Sequence, residues 1–184
     1  MSDATCTMEL AASAFGIAPN NSFLHKAVCF LASPLLGAAN TANGTVGAGA
    51  GGSVGVLAFF GGSLAAGVQA VADPSGNLGV AINVNPGFIG FGASAMGGGH
   101  VSVSTSKSIF GLGGWSLSGD ISAGSGPAGD LGVSRGFASW LGPTQWGATT
   151  VTATIGPGIG TRAAVGSVGY SFVPQSLSTN CGKK

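Results

Sequence analysis

The stretch HVSVSTSKSIFGLGGWSLSG (residues 100–119) decides the fold class. Valines and serines alternate from His100, a glycine-rich segment follows, and the alternation resumes at Trp115. A period of two is the mark of a strand with two chemically different faces. The run therefore predicts two strands joined by a turn. Its polar positions are serines rather than charges, so which face meets water is open.

The same pattern extends in both directions. Apolar runs at 46–60, 64–72, 78–84, 88–106, 115–123, 131–140, 148–155 and 162–173 are separated by glycine- and proline-rich punctuation. The separators are FGGS (60–63), DPSGN (73–77), NPG (85–87), GSGPAG (124–129), GPTQWG (142–147) and GPGIG (156–160), with the glycine-rich part of the opening stretch. Such residues reverse a chain. Nothing helical intervenes, which disfavours a parallel sheet. The expectation is an all-β, antiparallel up-and-down meander closing into a roughly eight-stranded barrel. Closure would remove the edges that this charge-poor chain cannot protect.

Residues 1–43 differ: glycine is scarce and helix formers are common. TMELAASAF (7–15) reads as a short helix. A second begins after Asn20, Asn21 and Ser22, places Phe23, Ala27, Phe30 and Leu31 on one face, and is ended or kinked by Pro34. The organisation is a helical N-terminal segment (1–43), a glycine-rich barrel (44–174) beside or around it, and a tail (175–184), one domain in all.

Composition limits function more than any motif does. Of 184 residues, 6% are charged and 36 are glycine, with a formal charge of +1 and a mean hydropathy of +0.49. Ordinary soluble domains carry roughly a quarter charged residues. A near-neutral chain has no electrostatic case for nucleic acid. Three settings suit such a surface: a membrane, a tight assembly of copies, or enclosure in a larger protein. Cys6, Cys29 and Cys181 show no metal-ligand spacing, so no metal or cofactor is expected. One disulfide with a free thiol and three free thiols both remain open. MSDATCTMELAASAFG lacks a basic start and carries Asp3 and Glu9, unlike a signal peptide.

Candidate chemistry is sparse. A hairpin centred near Phe110 would set His100 opposite Asp120, both on the face of Ser102, Ser104, Ser116 and Ser118. That pair reads either as an acid–base couple, the aspartate orienting the histidine, or as a buried hydrogen-bonded pair fixing register. Arg135 could join from the sixth strand as an anion anchor. GAGAGG (47–52) lacks the Lys-Ser/Thr and the helix of a phosphate loop. Trp115, Trp140 and Trp146 lie near strand ends and read as a membrane girdle, a ligand platform or end caps.

VADPSGNLGVAINV (71–84), GFGASAMGGGHVSVSTSKSIFGLGGWSLSGDISAG (90–124) and GATTVTATIGPGIGTRAAVGSVGYSFV (147–173) resemble the glycine-rich C-terminal regions of RHS-repeat-associated bacterial polymorphic toxins. The resemblance covers residues 44–174. It implies an effector module at the end of a large secreted polypeptide, delivered to a target cell without a classical signal peptide. A parent shell or an immunity protein would be its partner. The function expected first is a non-enzymatic toxin module acting at or in membranes, with lipid as partner. The alternatives are a barrel enzyme using His100 and Asp120, and a self-assembling structural or binding barrel, a homo-oligomer.

Overall fold

The structure is a computed structural model and describes residues 22–137 and 146–178. Helix α1 (Ser22–Ala42) is followed by four long strands: β1 (Thr45–Ala72), β2 (Asn77–Ser104), β3 (Gly114–Phe137) and β4 (Trp146–Ser178). They form one antiparallel sheet in the order β1-β2-β4-β3. The all-β, antiparallel expectation holds. The barrel does not: among the described residues there are four strands rather than eight, and the sheet is not closed. Nor is it a simple meander, since β4 lies between β2 and β3.

The difference has a local cause. Each expected pair of strands is one strand, and FGGS, NPG, GSGPAG and GPGIG lie inside strands instead of between them. The chain bends at or beside FGGS, GSGPAG and GPGIG, and in β2 beyond NPG, near Gly92, without changing direction within the sheet. Each strand has one left-handed residue near its middle: Phe59 (φ 76°), Gly92 (96°), Gly126 (97°) and Gly160 (89°). Three are glycines, which adopt this conformation at no steric cost. Phe59 is a bulky residue held there by its surroundings.

These bends double the sheet over on itself. In β1, Gly55 faces Ser63, Gly51 faces Ala66 and Gly49 faces Val68, converging on Phe59. In β3, Gly124 faces Ala128 across Gly126. A Cβ at Gly49 would stand 2.0 Å from the Val68 carbonyl oxygen, so a side chain there would force the layers apart. Both ends of each strand thus share one side of the molecule, and the bends form the other.

The two described reversals, between β1 and β2 and between β2 and β3, are at that first side. DPSGN turns as its residues predict: Asp73 Oδ1 accepts from the N–H groups of Ser75 and Asn77. Its Oδ2 accepts from Asn77 Nδ2 and from the Ile109 N–H, tying this turn to the β2–β3 connection. That connection includes a short 3₁₀ turn, Ile109–Leu112, whose Ser108 cap accepts from the Phe110 N–H. Ile109 is fully buried with Val71 and Ala81, and Leu112 and Val173 pack around them.

Helix α1 lies beside the sheet. Ala32, Leu36 and Ala39, at helical spacing, pack on Val46, Ala72 and Leu78. The helix continues through Pro34 rather than ending there. It ends where Asn43 turns left-handed (φ 49°): the Gly44 N–H reaches the Ala39 carbonyl and the Asn43 N–H the Asn40 carbonyl. The expected helix at 7–15 lies outside the described residues. The expected Phe23, Ala27, Phe30 and Leu31 face and the side chain of Cys29 lie outside the described side chains, and Cys6 and Cys181 outside the described residues. Among the described residues no helix is long and apolar enough to cross a membrane.

Candidate functional site: a polar lumen inside an apolar shell

The doubled sheet answers the question raised by residues 100–119. His100, Ser102 and Ser104 are 5%, 5% and 3% exposed, whereas Val101 and Val103 are 57% and 48% exposed. The serine face points inward and the valine face outward. The rest of the sheet follows suit. Ser53, Gln69, Ser94, Ser122, Arg162 and Ser167 are buried polar residues of the inner face. Val56, Phe60, Ile121, Ile155, Ile159 and Val165 are among the exposed apolar residues of the outer face. Soluble sheets bury their apolar face; here the polarity is inverted.

Hydrogen bonds cross the interior between the two layers. Ser102 Oγ donates to Gln69 Oε1 at 2.7 Å. The Ser94 and Ser122 hydroxyls lie 2.8 Å apart. Towards the bends, Arg162 Nη2 donates to Asp120 Oδ2 at 2.5 Å and lies 4.0 Å from Asp130 Oδ2. The Arg162 side chain is 1% exposed. One positive charge therefore serves two carboxylates. Buried atoms without a hydrogen-bond partner also gather on this face, including His100 Nε2, Asn83 Oδ1, Ser53 Oγ and Asp130 Oδ2. His100, Asn83, Asp120 and Asp130 line one cavity of about 140 Å³.

His100 and Asp120 do share this lumen, but not as cross-strand neighbours. β4 intervenes, so His100 pairs in register with Gly49 and Thr154, and Asp120 with Ala164. Asp120 is bound to Arg162 instead. Arg135 does not approach the pair: it is exposed on the outer face, opposite Thr149 near the end of β3. Trp115 is also on the outer face, its ring 5.0 Å from that of Tyr170 in an edge-on contact. Trp146 begins β4 opposite Phe137, with its side chain outside the description, and Trp140 lies outside the described residues.

Sequence reasoning passed over Arg162 and Asp130 as site residues. A signal existed. Thr161, Ala163 and Val165 alternate with Arg162 and Ala164, and Leu131 and Val133 alternate with Asp130 and Gly132. Both charges occupy the parity of the small and polar residues. Among the described residues, no group of three or more His, Cys, Asp or Glu could hold a metal ion. No family model, no curated protein and no solved structure matches the chain.

Proposed function

We propose that this chain is a membrane-embedded β-module whose apolar outer face meets lipid and whose polar face is enclosed. The observation that carries the reading is the inverted polarity. Lipid-facing sheets alternate apolar-out and polar-in, and exposed apolar surface on this scale marks an interaction site. The strand residues with a formal charge are Asp120, Asp130, Arg135 and Arg162. Only Arg135 points outward, and it sits near a strand end, where a cation reaches the headgroups.

Dimensions support the same reading. From Trp115 to the bend at Gly126 the strand advances about eleven residues, or about 36 Å. At a tilt of about 40° this gives about 28 Å of depth, against an apolar band of about 25 Å. Aromatic residues mark both margins: Trp115 and Tyr170 at one, Phe59, Phe60 and Phe91 at the other, with Phe59 and Phe91 4.9 Å apart edge to face. The resemblance to toxin modules implies an effector delivered to a target cell, and action at a membrane is compatible with that role. Asp120's engagement with Arg162 leaves His100 without the carboxylate partner that an acid–base couple needs.

In lipid, the edge strands β1 and β3 require partners. They run antiparallel to one another, so the edge of one copy can continue the ladder of the next. The test is flotation of the full chain with phosphatidylcholine–phosphatidylglycerol vesicles, followed by cross-linking of the floated fraction. Floating protein that resists high salt and cross-links into a ladder is expected. A dispersed monomer left at the bottom of the gradient would overturn the membrane reading, and floating monomers alone would overturn the edge pairing.

A further inference from the structure

We infer that the lumen is a binding site for a small primary ammonium ion, seated over the row His100, Thr154 and Asp130. The register creates this row: His100 on β2 pairs with Thr154 on β4, which pairs with Asp130 on β3. All three side chains line the same cavity. Adjacent strands lie about 4.8 Å apart, so the backbones of His100 and Asp130 are about 10 Å apart, with a hydroxyl between them. That gap suits one small guest touching all three.

The guest's chemistry follows from what is left unpaired. His100 is 5% exposed and its Nε2 has no hydrogen-bond partner; Asp130 Oδ2 has none either. The nearest cation to Asp130, Arg162 Nη2 at 4.0 Å, already donates to Asp120. Asn83 Oδ1, also without a partner, faces the row from the other layer. It and His100 Cε1 each stand 2.9 Å from where a Cβ on Gly67 would be, so the glycine leaves the space open.

Asp120 and Asp130 share the single charge of Arg162, which leaves one negative charge uncompensated, and Asp130 Oδ2 is closed off from solvent without a hydrogen bond, which is costly. That surplus of negative charge disfavours an anion, although Arg162 Nε and Nη1 are also buried without an acceptor. A primary ammonium brings one positive charge and three N–H donors. The acceptors available are the Asp130 carboxylate, the Thr154 hydroxyl, and the neutral His100 Nε2 or Asn83 Oδ1. A quaternary ammonium has the charge but no donors, and an alkali cation gains little from an imidazole nitrogen. The cavity has room for on the order of ten waters, ample for methylammonium.

The inference does not depend on where the outer face resides, so it is tested in detergent micelles without a bilayer. The melting temperature of the full chain is followed against methylammonium, tetramethylammonium and sodium chlorides at equal ionic strength. A saturable rise with methylammonium alone is expected. Asp130→Asn should weaken the apparent affinity at least tenfold and Thr154→Val several-fold, with Ser125→Ala, on the outer face, unchanged. Equal responses to the three salts, or no response, would overturn the proposal. So would unaltered affinity in Asp130→Asn; if that variant does not fold, unaltered affinity in Thr154→Val overturns the proposal in its place.

Discussion

Val165 is the position at which the membrane reading is most exposed to test. It lies on the outer face of β4, 73% exposed, midway between the bend at Gly160 and Tyr170. Five residues to either side span about 16 Å of strand, or about 13 Å of depth at a tilt near 40°. That puts the side chain at the middle of an apolar band about 25 Å thick. A lysine at the midplane of a β-sheet in lipid costs about 2–4 kcal/mol, which is about 30- to 900-fold in partitioning. In water the same change, at an exposed site, falls within about 0.5 kcal/mol. Val165→Lys should therefore lower vesicle partitioning at least about 30-fold while leaving the far-ultraviolet circular dichroism in micelles unchanged. Ser125→Lys, exposed beside the bend where headgroups would lie, should cost about 0–1 kcal/mol. Partitioning of Val165→Lys within twofold of the wild type would refute the argument.

Two further outcomes follow from the interior. Arg162→Met leaves the half-buried Asp120 and Asp130 without their buried cation, so urea unfolding in micelles should show a loss of about 3–5 kcal/mol; a loss below 1 kcal/mol would mean the arginine is not buried between them. Gly49→Ala forces a methyl against the Val68 carbonyl and should destabilise the fold by about 1–3 kcal/mol or more. Gly97→Ala, whose Cβ would come no closer than 3.7 Å to the Gly51 carbonyl oxygen, should be close to neutral. Comparable melting temperatures for these two variants would count against the doubled sheet.

What the sequence determined by itself was the alternation and its chemistry. A period of two is a property of the extended backbone, so Val101 and Val103 had to oppose Ser102 and Ser104 wherever the strand went. The antiparallel, all-β class and the turn at Asp73 were legible for the same reason, being consequences of neighbouring residues. Whether FGGS or GSGPAG reverses a strand or only bends it was not legible, because glycine permits both and contacts tens of residues away choose between them. That choice turned eight expected strands into four and inserted β4 between β2 and β3. It separated His100 from Asp120, gave Asp120 to Arg162, and brought His100, Thr154 and Asp130 into one row. The direction of the serine face was likewise a tertiary matter. Periodicity places residues on opposite faces, but only the doubling of the sheet decides which face is enclosed.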